Sequence, residues 1–271
     1  MQINILFWNI NKKNLLESIL KLVALYKINI LILIENVIDP LIVVEKLTTV
    51  NKEYRFADTI GQSNIYIYTT LDLKYFVPFY DENRLSLRII KLPNKKQIHL
   101  GVIHFASKLY FSDSSQLSES FEMAKVINQK ENEIDCHNTI LVGDFNMNPF
   151  EDGMINANSF NATVDRKIAL RGNRIVQGRS YNFFYNPMWN MFGDQKEGPI
   201  GTYYYERAEH KNYFWNILDQ VIIRPDVIDN FNFESLEIID TFGEYSLVDS
   251  EGCPNTKKYS DHLPIKFSIN I

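Results

Sequence analysis

At 271 residues, 45% of them hydrophobic, the chain can bury the core of one large domain, and its formal net charge of −5 means that the surface as a whole is no electrostatic trap for nucleic acid. Cys136 and Cys253 lie far apart without metal-binding spacing, which argues against a disulfide framework or a zinc site and fits a reducing compartment. The first residues lack a basic stretch followed by a long apolar run, so neither a signal peptide nor a membrane span is expected, and a cytoplasmic location is.

Residues 3–8 read as a strand too apolar on both faces for an exposed edge, ending in Asn9-Ile10-Asn11. Asn14 is then placed to cap a helix with Leu15, Leu16, Ile19, Leu22, Val23 and Tyr26 on one face. Residues 28–34 form a second apolar strand that stops at Glu35-Asn36. A strand, helix, strand unit of this length predicts a right-handed crossover, which puts Asn9 and Glu35 at the same edge of one sheet. A helix is expected after Pro40.

Residues 65–68, 85–90 and 97–104 read as members of a second set of strands, joined by polar turns such as 92–96. His99 falls mid-strand, where a structural part is the better reading. His104 ends its strand and is followed by Ser107 and Lys108, residues able to meet phosphate oxygens. Ser114 or Ser115 is expected to cap a helix carrying Phe121, Ala124, Val126 and Ile127.

Residues 139–149, Thr-Ile-Leu-Val-Gly-Asp-Phe-Asn-Met-Asn-Pro, organise the rest of the chain. A buried strand stops at Gly143 and delivers Asp144, Asn146 and Asn148, and Pro149 keeps it from continuing. Polar side chains in that position are held by a rigid element yet reach solvent, a good place for chemistry. A long, irregular region to about residue 215 follows, where Arg171, Arg174 and Arg179 alternate with Tyr181, Phe183, Phe184, Tyr185 and Trp189. Such interleaving can stack bases and clamp phosphates, although taken singly the aromatics read as core and the arginines as solvated. Asp219 heads another apolar strand, where a buried carboxylate needs a partner. Asp261 and His262, side by side before a last strand over 265–269, must point to opposite sides of an extended backbone. No linker, repeat or low-complexity tract divides the chain, which reads as a single domain over 1–271.

Asn9 in Trp-Asn-Ile-Asn, Glu35, His104, Gly-Asp-Phe-Asn at 143–146, Leu-Asp-Gln-Val at 218–221 and Ser-Asp-His-Leu-Pro at 260–264 resemble, in this order, the motifs of the endonuclease/exonuclease/phosphatase superfamily, the DNase-I-like proteins. The resemblance implies an α+β fold, a four-layer α/β/β/α sandwich of two mixed sheets flanked by helices. It also implies a Mg²⁺-dependent phosphoesterase, with Mn²⁺ able to substitute and nucleic acid as substrate. Carried over residue by residue, Glu35, Asn9 and Asp261 would serve the metal. Asp219 would hold His262 as base, Asp144 and Asn146 would orient the attacking water, with Asp144 the alternative base, and His104 would meet a phosphate oxygen. Beside these roles, and read from the residues themselves, Lys108, Arg174 and Trp189 are expected to touch substrate. His104 and Asn11 depart from the tyrosine motif and the aspartate usual in AP endonucleases, which favours the branch with two active-site histidines over abasic-site repair. A small or lipid-derived phosphoester and a catalytically silent binding module are the alternatives.

Overall fold

The computed structural model describes residues 2–92, 96–108, 111–195, 197–208 and 210–271; the centre of the expected turn, 93–95, lies outside the described residues. Its strands begin with β1 (Gln2–Asn9), β2 (Ile30–Ile34), β3 (Arg55–Phe56), β4 (Ile65–Thr69), β5 (Phe76–Glu82), β6 (Leu85–Lys91), β7 (Gln97–His104) and β8 (Thr139–Asp144). They continue with β9 (Ala162–Thr163), β10 (Asn173–Val176), β11 (Arg179–Asn182), β12 (Phe184–Tyr185), β13 (Tyr203–Tyr205) and β14 (Phe214–Asn216). The last are β15 (Asp219–Ile223), β16 (Phe231–Ile238), β17 (Thr241–Phe242), β18 (Tyr245–Ser246) and β19 (Ile265–Asn270). The α-helices are α1 (Leu16–Leu25), α2 (Pro40–Val50), α3 (Asp113–Glu133), α4 (Asp152–Ile155) and α5 (Arg166–Ala169).

Two mixed sheets result, one ordered β16-β19-β1-β2-β4-β3 and the other β5-β6-β7-β8-β15-β12-β9. β1 and β2 run parallel with α1 as crossover, and Asn9 pairs with Ile34, so Asn9 and Glu35 do share an edge. Residues 65–68, expected in the second set, instead join the first sheet, where β4 lies antiparallel to β2 with Ile65 opposite Ile34. Local alternation sets the face of a strand and leaves its partner open.

The side chains show the layers. Leu100, Val102, Ile140, Val142, Val221 and Ile223 of the second sheet share one core with both faces of β1 and β2 and with Ile19, Leu22 and Val43 of α1 and α2. The alternate residues Ile103, Leu141 and Ile222 pack instead with Met123 and Ile127 of α3. Helices therefore cover both outer faces and the sheets pack together inside, the four-layer α+β sandwich that the resemblance implied.

Helix starts differ from expectation by a residue or more. Leu15, which makes no side-chain capping bond, occupies the cap of α1, and Asn14 reaches only Leu16 N at 3.4 Å. Ser112 caps α3, accepting from Ser115 N, so Ser114 and Ser115 fall inside the helix. The buried stripe of α3 is Gln116, Ser120, Met123, Ala124, Ile127 and Glu131, with Phe121 and Val126 on its flanks. The region read as irregular contains the β10–β11 and β13–β14 hairpins. No helix among the described residues is long and apolar enough to cross a membrane.

Candidate active site

Period-two alternation along β7, β8 and β15 sends His104, Asp144 and Asp219 to the inner face of the second sheet, in line with Val102, Val142 and Val221. Register then sets the three side by side: Asp144 pairs with His104 across the parallel β7–β8 ladder and with Asp219 across the antiparallel β8–β15 ladder. Gly143 makes this close approach possible. A Cβ there would lie 1.9 Å from the Ile103 carbonyl oxygen, and its φ of +156° suits only glycine.

Asp219 and Asp144 are both almost completely buried, and a buried carboxylate must find a partner or stay protonated. Asp219 Oδ2 lies 2.8 Å from His262 Nδ1, which fixes the orientation of the ring and leaves its other nitrogen outward. The peptide that carries His262 is itself anchored. Trp8 Nε1 donates to the His262 carbonyl at 2.9 Å, Ser260 Oγ donates to the Asn9 carbonyl at 2.7 Å, and Lys13 Nζ donates to the carbonyls of Thr256 and Tyr259. Burial opposes the His262 imidazolium, but the negative charges of Asp219, Asp144 and Asp261 outweigh it and hold the group up at about 10. Burial first, and then the negative charge of Asp219, push Asp144 up to about 6 against the pull of His262 and His104.

The first sheet supplies the other half. Asn9 Nδ2 donates to Glu35 Oε1 at 3.3 Å and to Asp144 Oδ2 at 3.2 Å, so one carboxamide joins carboxylates from both sheets across their seam. Its Oδ1 is already taken by Asn11 N at 3.0 Å. Asn9 is thus a donor spanning two carboxylates, with one lone pair of its oxygen left over. His104 Nε2, 3.6 Å from Glu35 Oε1, is the main cause that holds Glu35 down at about 2. Asn11, Lys12, Glu35 and Asn146 all take positive φ, a costly conformation that clusters here in the turns leaving β1, β2 and β8.

The remaining expected residues divide. Asn146 donates from its backbone to Asp144 Oδ1 at 2.8 Å and from its side chain to the Phe105 carbonyl at 3.0 Å, which orients Asp144 and leaves the carboxamide oxygen and one N–H for a ligand. Asp261 is partly exposed and accepts from Ser260 Oγ at 3.3 Å. It stands outside the group formed by Asp144, Asp219 and His262, whose ligand atoms lie within 4.8 Å of one another. Lys108 is turned to Glu151 and Asp113. Trp189 packs in an aromatic cluster with Phe150 and Phe192. Arg174 is not brought to the cluster. Its hairpin is a separate two-stranded sheet whose chain runs on into β12, which pairs at Ile223, the opposite end of β15 from Asp219, and its guanidinium donates to the Ile155 carbonyl.

Sequence reasoning passed over Asn148 as a fastener and Tyr203 altogether. Asn148 is buried, accepts from Ile217 N at 3.0 Å and donates to Asn216 Oδ1 at 2.8 Å, tying the Asp144 loop to the start of β15. Tyr203 packs on the His262 ring with centroids 4.8 Å apart, and an isolated bridge pairs the two backbones. The signal was present in Tyr203-Tyr204-Tyr205 and Phe214-Trp215, two strand-like runs just before Asp219.

No protein-family model matches the chain, and no curated protein matches it. Solved structures do match. A Bacteroides thetaiotaomicron endonuclease/exonuclease/phosphatase family protein is 10% identical, covering 99% of this chain and 95% of its own, with a TM-score of 0.56. The human Nocturnin catalytic domain with bound sulfate is 12% identical over 99% of this chain and 94% of its own, at 0.59. D. rerio TDP2 complexed with single-strand DNA product is 16% identical over 100% and 99%, at 0.53. The chain has the fold of the endonuclease/exonuclease/phosphatase superfamily, the DNase-I-like fold.

Proposed function

We propose that the chain is a metal-dependent phosphodiesterase whose substrate is nucleic acid. The observation that carries this reading is the meeting of Glu35, Asn9, His104, Asp144, Asp219 and His262, from separate strand ends, at one seam between the sheets. Coordination by oxygen suits a hard divalent cation such as Mg²⁺. The residues fit one: Glu35 is held ionised, and Asp219 Oδ1 is buried without a hydrogen-bond partner. Glu35 and Asp144, joined by Asn9, would hold the ion, and Mn²⁺ would serve in its place. The bound ion would neutralise charge on the scissile phosphate and the departing oxygen.

The protein groups do the rest. Asp219 holds the Nδ1 side of His262, so the opposite ring nitrogen takes the proton of the attacking water. His262 is raised by the carboxylates of Asp219, Asp144 and Asp261, and a cation bound beside them would lower it. Asn146 steadies Asp144, and His104 presents a ring N–H to a phosphate oxygen from across Glu35. The neighbours' ligands, single-strand DNA in TDP2 and sulfate in Nocturnin, support a phosphate-bearing substrate.

A second reading, hydrolysis of a small phosphoester, is favoured by the net charge of −5 and by the placement of Arg174 away from the cluster. Purified protein incubated with single- and double-stranded DNA, RNA and a phosphoester panel, with Mg²⁺, Mn²⁺ or EDTA, separates the two. Cleavage of nucleic acid that EDTA abolishes supports the first reading. Release of phosphate or headgroup with nucleic acids untouched selects the second.

A further inference from the structure

The β13–β14 hairpin adds a side chain to this site that none of the motifs contains. Tyr203 is clamped in a column of planar groups. One side of its ring meets His262, with centroids 4.8 Å apart and planes tilted by 46°. Tyr205 stacks beyond it at 6.3 Å and 20°, and the Arg207 guanidinium lies 4.7 Å from the Tyr205 ring. The backbone is pinned as well, since Tyr203 bridges to His262 and pairs with Asn216. Thr202 Oγ1 accepts from Asp219 N at 3.1 Å, so the residue before Tyr203 is tied to the strand carrying the partner of His262.

The ring is thus fixed, while its hydroxyl is not engaged. Tyr203 is partly exposed and its hydroxyl makes no hydrogen bond among the described residues. Burial first, then the negative charges of Asp261 and Asp144, raise the phenol against the opposing charge of Arg207 and keep it protonated. The site is rich in carboxylates and poor in neutral donors, yet an incoming phosphodiester brings further oxygens that must be met by donors.

We infer that Tyr203 is a catalytic residue whose hydroxyl donates a hydrogen bond to a non-bridging phosphate oxygen of the substrate beside His262. The assignment rests on the phosphoesterase reading above. No bond is made or broken by Tyr203; it supplies a donor, already oriented by the ring column, to charge that grows in the transition state.

Three proteins test it: wild type, Tyr203→Phe, which deletes only the hydroxyl, and Tyr203→Leu, which also removes the ring. Two readouts are taken with Mg²⁺ present, calorimetric binding of inorganic phosphate and turnover of bis(p-nitrophenyl) phosphate. Tyr203→Phe is expected to bind phosphate about tenfold more weakly and to lose about 10²-fold in kcat with KM little changed. Tyr203→Leu should in addition shift the His262 titration followed by NMR, which Tyr203→Phe leaves in place. Phosphate binding and turnover in Tyr203→Phe equal to those of wild type would overturn the inference and leave the ring a purely structural part. Failure of the phosphoesterase reading looks different: wild type hydrolyses no phosphodiester with any metal, while phosphate binding, weakened or not in Tyr203→Phe, still decides the donor role.

Discussion

Asp144 and Asp219 stand directly opposite one another across the β8–β15 ladder, two buried carboxylates whose repulsion is answered by an imidazole 2.8 Å from one of them. If Asp219 acts by orienting His262 and stabilising its protonated form, Asp219→Asn keeps the shape and removes the charge. Such a protein is expected to fold, to lose about 10²–10⁴-fold in hydrolysis rate, and to show a lower His262 titration midpoint by NMR. An unchanged midpoint would contradict the pairing.

Glu35 differs in being partly exposed and ionised well below neutrality. Glu35→Gln should therefore spare the fold and raise the Mg²⁺ concentration needed for half-maximal activity by about tenfold or more. A metal dependence identical to wild type removes Glu35 from the ion.

Stability against pH carries a signature of the same cluster. Asp144 is raised from 3.8 to about 6 by burial. His262 is raised from 6.5 to about 10, its burial being outweighed by Asp219 and its neighbours. Each group binds its proton more tightly in the folded protein, so each contributes stability below its unfolded value that is lost as pH rises through its folded one. The metal-free protein is expected to lose melting temperature in two windows, between 3.8 and about 6 and between 6.5 and about 10. Mg²⁺ should restore more of it at the higher pH. A melting temperature that is flat or rising from 6.5 to about 10 in EDTA refutes this account.

Gly143→Ala tests the close approach of β7 and β8. The added carbon would meet the Ile103 carbonyl oxygen at 1.9 Å, backbone against backbone with no flexible end to yield. Strand separation should cost about 3 kcal/mol or more and displace His104 from Asp144. A variant with wild-type melting and activity would show that the ladder tolerates what its geometry forbids.

At the far end of the same sheet, Arg224 Nε lies 2.9 Å from Glu131 Oε1, with both side chains buried and the guanidinium 3.8 Å from the Phe184 ring centroid. Glu131→Ala strands that guanidinium and should lower stability by about 3–5 kcal/mol. Phosphate and metal binding should survive at temperatures where the variant is folded, because the pair sits at the Ile223 end of β15.

The site was legible in the chain wherever an apolar run stops at a polar residue. Glu35 and Asp144 announce themselves because a buried strand can end on a carboxylate only at a rim, and Asp219 because a buried acid demands a partner. Pairing was less legible. Residues 65–68 alternate like any half-buried strand, and nothing local says that Ile65 faces Ile34. Arg174 and Trp189 look like nucleic-acid contacts by composition, yet composition says nothing of position, and the arginine's hairpin leads into β12 at the end of β15 away from Asp219. Tyr203 was missed because three consecutive tyrosines suggest packing, and only the hairpin register shows which one meets His262.

β19 lies between β16 and β1, so the strand contributed after every other element of this fold is an interior one. Without it, β1 presents an unpaired edge. A chain cut ahead of Ile265 should therefore be an aggregation hazard.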